Sequence, residues 1–251
     1  MKSSAVNTIF VVIFGFCLFP VQLAGAEEIV FESIALDEEN AYHTEVLQLW
    51  KEGMIQEQEG EYEDAADEFE EIVDNFPGSP LAPRALWRQA VNLEKADELY
   101  DAFETFQKLF EDSPGKGNLE NILNHQFRIG KAFLEGRKRL FLFFRIRSGL
   151  GAAQTIFRTV VENATFSRIA PRAQYNLARS LQLDGDYEKA EIEYKFLLEN
   201  YPGSPVVEAA IFQLAVCYYE RASGIDYDTG MADRAIRYLK TFLRRFSESE
   251  Y

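Results

Sequence analysis

Histidine and cysteine are scarce, with two of each in 251 residues. His43 and His125 stand far apart and neither sits in a motif, so no spacing offers a metal site. No glycine-rich loop follows a strand pattern. Gly149-Leu150-Gly151 lacks the strand that should precede a phosphate cradle. Asp226 and Asp228 ahead of Gly230 lack the later glutamate of a calcium loop, and turn chemistry accounts for them. Acidic pairs are plentiful but fall on outward helical faces, where solvated charge is the default. The sequence therefore predicts no catalysis, no cofactor and no metal.

An apolar run long enough to span a bilayer is also missing. The longest, residues 9–19, falls short of the roughly twenty residues a spanning helix needs. With Lys2 before it and Ala24-Gly25-Ala26 after it, this run predicts a secretory signal over residues 1–26 rather than an anchor. Cys17 follows Phe16, where a bacterial lipoprotein signal has a small residue, so a lipid anchor there is disfavoured. Without residues 1–26, Cys217 is the remaining cysteine. It lies in the apolar stretch Leu214 to Tyr219 and reads as a small buried hydrophobe.

Basic residues are nearly absent from one end. Residues 27–76 carry eighteen acids and a single base, Lys51, within a net charge of −15. Residues 27–44 are expected to form a poorly ordered acidic leader. Such a face either solubilises or docks a basic partner, and it repels nucleic acid.

What the sequence does contain is repetition. Residues 171–205 read as two amphipathic helices around Gly185. Tyr175, Leu177, Ala178 and Leu181 lie inward on the first, and Tyr187, Ala190, Ile192, Tyr194, Leu197 and Leu198 on the second. Pro202 closes the unit. The same offsets recur in Trp50, Gly53, Ala65, Phe69 and Pro77, and in Trp87, Ala90, Ala102, Phe106 and Pro114. Two longer units hold Phe127, Gly130, Ala153 and Phe157, then Phe212, Ala215, Ala235 and Leu239. One hairpin cannot bury its own apolar face, so neighbours must stack on it.

These residues resemble the tetratricopeptide repeat. The resemblance implies an all-α, right-handed superhelical solenoid of about five helix hairpins over residues 45–251. The repeats fall at about 46–79, 83–116, 123–166, 171–204 and 208–251. No polar capping helix follows the last, so the chain is expected to be incomplete at its C-terminus. In that family the aromatic place held by Trp50, Trp87, Phe127, Tyr175 and Phe212 faces the concave side. Two roles stand for this row, packing between hairpins and a groove for a peptide.

Between the helices of the third hairpin lies a basic and aromatic insert of Arg137, Lys138, Arg139, Phe141, Phe143, Phe144, Arg145 and Arg147. It either extends the helix pair or touches a membrane surface or a partner. Asn163-Ala164-Thr165 forms a sequon, meaningful in a eukaryotic source.

Over roughly residues 170–251 the chain resembles the BamD family of outer-membrane protein assembly factors. The residues that carry this are Tyr218-Tyr219, the Asp-rich loop, Met231, Ala235 and the Arg244-Arg245-Phe246 segment. The resemblance implies a non-enzymatic periplasmic scaffold associated with the outer membrane. Its partners would be proteins or peptides, namely the assembly machinery and its β-barrel clients. A general periplasmic adaptor in cell-wall or division complexes, or the repeat arm of a larger enzyme, is the alternative.

Overall fold

A computed structural model of the chain describes residues 41–112, 119–136, 149–223 and 228–248. The expected signal, most of the acidic leader, Pro114, the basic insert from Arg137 to Arg147, and Asp226 lie outside the described residues. Within them there are ten helices and no strand. The helices are α1 (Ala41–Glu59), α2 (Tyr62–Asn75), α3 (Ala82–Lys95), α4 (Leu99–Asp112), α5 (Leu119–Leu134), α6 (Gly149–Asn163), α7 (Ala170–Leu183), α8 (Tyr187–Asn200), α9 (Val207–Ala222) and α10 (Thr229–Arg245). Each packs on the helix before it and the helix after it, giving an all-α solenoid of five stacked hairpins. The first helix begins at Ala41, inside the stretch expected to be leader.

The turns explain where the helices stop. Gly60 (φ 87°), Asp97 (φ 67°) and Gly185 (φ 84°) occupy equivalent places after α1, α3 and α7, and all are left-handed. Glycine adopts this geometry without penalty, and aspartate is among the few other residues that tolerate it. The even helices stop differently. Phe76 and Tyr201 turn out of the helix at φ near −130°, and Pro77 and Pro202 follow, which cannot donate to a continuing ladder. The repeated Pro-Gly-Ser-Pro then starts the next unit. The Ser79 hydroxyl accepts from Leu81 N–H at 3.2 Å and the Ser204 hydroxyl from Val206 N–H at 3.4 Å. Asp228 caps α10 by accepting from the N–H groups of Gly230 and Met231, so this part of the Asp-rich loop is helix-start chemistry.

The core runs along the hairpins as one apolar cluster. Its repeating element is an alanine followed four residues later by an aromatic on α2, α4, α6 and α8. Ala65 and Phe69, Ala102 and Phe106, Ala153 and Phe157, and Ala190 and Tyr194 are all fully buried. A small residue on the partner helix makes room for each ring. A β-carbon added at Gly130 would stand 2.9 Å from Phe157, and one at Gly53 would stand 3.0 Å from Phe69.

Two expectations are corrected. Ile192 is 60% exposed rather than inward, and its neighbour Glu191 is buried in its place. In the fifth hairpin Leu239 is 37% exposed, whereas Phe242, nearly one turn later, meets the Phe212 ring at 5.6 Å. A leucine is shorter than the ring that fills this place elsewhere, and Phe242 supplies the missing aromatic surface.

The left-handed turns yield a test. Gly185→Ala is expected to lower unfolding stability by about 1–2 kcal/mol, the cost of a β-carbon in that geometry. Gly203→Ala, with open space and no left-handed φ, is expected to change it by under about 0.5 kcal/mol. Denaturant melts of both variants check this, and equal losses would contradict it.

Candidate functional site

The odd helices carry the aromatic row, and each member rests on an aromatic of its own hairpin. Trp50 meets Phe69 edge-on at 5.3 Å, and Trp87 meets Phe106 at the same distance. Phe127 lies 5.6 Å from Phe157, and Tyr175 lies 5.9 Å from Tyr194. Such ring pairs add stability beyond the area they bury. Trp50, Trp87, Tyr175 and Phe212 are half-buried, so each keeps one edge at the surface. Phe127 differs. It is 4% exposed, and the Arg172 guanidinium of the next hairpin lies over its ring at 4.7 Å. The surface above Phe127 is therefore a cation, not a ring.

A polar ladder tracks the same face, and its spacing is regular. Seven residues after the first two aromatics stand Glu57 and Glu94, and one residue after the second and third stand Arg88 and Arg128. Glu57 accepts from Arg88 at 2.8 Å and Lys95 at 2.7 Å, joining α1 to α3. Glu94 pairs with His125 at 2.5 Å and Arg128 at 3.1 Å, joining α3 to α5. His125 is also held between rings, 5.2 Å from Trp87 and 4.7 Å from Phe106. Further along, the acid's place is taken by Leu134 and then Gln182. Gln182 donates to Gln213 at 3.0 Å, and Arg179 donates to the same oxygen at 3.4 Å. The ladder continues there without a carboxylate.

This change leaves α7 distinctive. It contains Arg172 and Arg179 and no acid. Among the described residues neither arginine has a carboxylate partner. They stand three residues before and four residues after Tyr175, on one stripe of the helix. Helix α2 carries the opposite sign. Seven acids and no base lie on α2.

A second charged cluster lies between the fourth and fifth hairpins. Glu191 on α8 accepts from Lys195 at 2.5 Å and from the Tyr218 hydroxyl at 2.7 Å, and it also pairs with Arg221 of α9. Tyr218 stacks on Tyr238 at 5.5 Å. The burial of Glu191 had no signal within α8, because its partners on α9 lie about thirty residues away. The ladder did have one, in the fixed offset of Glu57 and Glu94 from the tryptophans. Cys217 is fully buried beside this cluster, and burial pushes its thiol up to about 12. The Asn163 side chain donates to Gln107 at 2.8 Å, so the sequon asparagine is engaged within the array. Among the described residues no group of three His, Cys, Asp or Glu could hold a metal, and no helix is long and apolar enough to cross a membrane.

The junction carboxylates share one electrostatic logic. Burial raises Glu57, Glu94 and Glu191, but hydrogen bonds and cations from Lys95 and Arg88, His125 and Arg128, and Lys195 and Arg221 outweigh it. All three carboxyls sit below the ordinary glutamate value of 4.5. Their contribution to stability is therefore present above that value and lost as the pH falls through the lowered folded values. Glu68 and Glu98 are raised, first by burial and then by neighbouring acids, so they oppose this trend.

Comparison with known proteins agrees with the repeats. A family model described as "Outer membrane lipoprotein" matches residues 147–251, and one described as "Tetratricopeptide repeat" matches residues 51–116. The outer membrane protein assembly factor BamD of Caulobacter vibrioides is 23% identical over 105 residues, covering 42% of this chain and 34% of that protein. The match thus spans about a third of that relative's length. A crystallised MamA of Desulfovibrio magneticus is similar at a TM-score of 0.40 and 15% identity, covering 82% of this chain and 98% of that one. A putative kinesin light chain of Podosopora anserina with TPR-like repeats gives 0.39 and 14%, covering 84% and 100%. The chain resembles tetratricopeptide-repeat proteins and, over residues 147–251, the BamD-type proteins, with the features of a protein-interaction repeat array.

Two outcomes follow from this geometry. Glu191→Gln is expected to cost about 1–3 kcal/mol near neutral pH, since it leaves Lys195 and Arg221 uncompensated. It should also flatten the loss of stability below pH 4.5 relative to wild type, as thermal melts across pH will show. Native Cys217 should resist a thiol reagent until the protein is denatured, and rapid labelling of the native state would contradict its burial.

Proposed function

We propose that this chain is an exported, non-enzymatic scaffold at the periplasmic side of the outer membrane, holding protein segments during assembly of β-barrel proteins. The observation that carries this reading is the match of residues 147–251 to the outer membrane lipoprotein description, together with the BamD relative over a similar length. The repeat architecture supports a binding role of the same kind. Its odd helices present half-buried aromatics and charged side chains on one face, and rigid aromatic edges bury large area at small entropic cost. The segment bound would lie along α3, α5, α7 and α9, with Trp87, Tyr175 and Phe212 supplying contact. The basic insert from Arg137 to Arg147 is a candidate contact with the membrane surface or a partner.

Export follows from residues 1–26, whose charge, apolar run and small-residue end form a cleavable signal. The mature protein is expected outside the cytoplasm with its N-terminus at Glu27. Cell fractionation and N-terminal mass analysis check this. A diacylated N-terminus at Cys17 would replace the cleaved form with a lipoprotein, and an intact cytosolic chain would remove the periplasmic role.

Depletion of the protein in its source cell tests the assembly role directly. The expected result is a selective fall in folded outer-membrane β-barrel proteins. Unchanged barrel levels, with altered cell-wall or division complexes instead, would assign the scaffold elsewhere.

A further inference from the structure

We propose that Arg172, Tyr175 and Arg179 on α7 form a docking site for an acidic protein segment, one bearing two carboxylates about 10 Å apart with an apolar side chain between them. The inference rests on the reading of the odd-helix face as a protein-binding surface, and it names the chemistry that the face selects.

The starting point is a contrast between the junctions. In the first three hairpins carboxylates of the odd helices hold basic side chains of the next hairpin. Glu57 holds Arg88 and Lys95, and Glu94 holds His125 and Arg128. Those groups have little to offer a ligand, because their carboxylate is built into the fold. At the corresponding places of α5 and α7 the carboxylate is replaced by an uncharged side chain. The place seven residues after Phe127 is Leu134, and the place seven residues after Tyr175 is Gln182.

Arg172 is exposed and makes its contact with the face of the Phe127 ring at 4.7 Å. Arg179 is half-buried and gives one hydrogen bond to the neutral Gln213. Among the described residues both guanidiniums have a neighbour but no carboxylate. A guanidinium over a ring face keeps N–H groups in its own plane, available for contact with a carboxylate.

The spacing sets the ligand. Arg172 and Arg179 are separated by seven residues along α7, about 10.5 Å of helix rise. Tyr175 lies between them on the same stripe, half-buried, with its ring against Tyr194. Two carboxylates at that separation reach both arginines, and an intervening apolar side chain lies on the tyrosine. Two turns of helix cover about 10 Å, and in an extended chain side chains four residues apart share one face about 13 Å apart, within reach of two long arginine side chains. Charge complementarity favours such a segment over a basic one, which these arginines would repel.

The test uses the mature full chain and three probes. One is an end-blocked Gly/Ser peptide with two glutamates four residues apart and a phenylalanine midway between them, all on one face of an extended chain. The second replaces both glutamates by glutamine, and the third is a vesicle of anionic phosphatidylglycerol. Fluorescence anisotropy at low salt is expected to show binding of the acidic peptide. The glutamine peptide should bind about tenfold more weakly, as should the acidic peptide to Arg172→Gln or Arg179→Gln.

Lys108→Gln, on α4 and paired with Asp74, should stay within about twofold of wild type, as a distant site should. Arg172→Lys, which keeps the charge and loses the planar stack, should fall between wild type and Arg172→Gln. Thermal melts confirm that the variants fold. Equal binding of both peptides with unchanged arginine variants would overturn the site while leaving the protein-binding reading intact. Binding to vesicles alone would assign the arginines to lipid and overturn it, and so would failure of every probe to bind.

Discussion

Everything in this array depends on how closely two helices of a hairpin can approach. A small residue on the odd helix, Gly53, Ala90, Gly130 or Ala178, lies opposite a fully buried ring on the even helix. At Gly130 the clearance would be 2.9 Å to an added β-carbon, so no larger side chain enters without moving Phe157. This contact fixes the helix pair. It also brings the odd-helix aromatic onto the same ring at 5.3–5.9 Å. The row at the surface is the outer end of the core.

Much of the fold is legible in the sequence for this reason. The offsets of Trp50, Gly53, Ala65 and Phe69 recur because the same approach recurs, and Gly185 marks a turn that needs its left-handed geometry. Reading falters where a position is decided by a distant neighbour. Ile192 fits the inward stripe of α8, yet α9 delivers Arg221 and Tyr218 to the adjacent residue, and Glu191 becomes the buried one. Leu239 sits at the expected offset, but a leucine does not fill the place of a ring and Phe242 does. The candidate site was half legible. Its aromatics stand at a fixed spacing, whereas the absence of a counter-ion on α7 emerges only when the junction pairs are seen together.

The charges then divide the labour. Acids on the odd helices lock one hairpin to the next, with Glu57 joining Arg88 and Lys95 and Glu94 joining His125 and Arg128. Acids on α2 face outward and keep that side solvated. Beyond α5 the odd-helix ladder passes to amides, Gln182 with Gln213, and the carboxylate locks move to α8, where Glu193 pairs with Arg158 and Glu191 with Arg221. A solenoid is stabilised by nearest-neighbour interfaces, so a change in junction chemistry at one repeat alters the local surface without disturbing the rest. Such an array can acquire a binding function at one hairpin while its others supply stability.

The central claim is that the odd-helix face binds protein, and photocrosslinking tests it most directly. A photoreactive phenylalanine at Asn176, beside Tyr175 on α7, and another at Glu70, outward on α2, would be introduced separately into the full chain in its source cell. The account predicts discrete protein crosslinks from position 176 and none, or only diffuse ones, from position 70. Equal crosslinking from both positions, or crosslinks from position 70 alone, would contradict it.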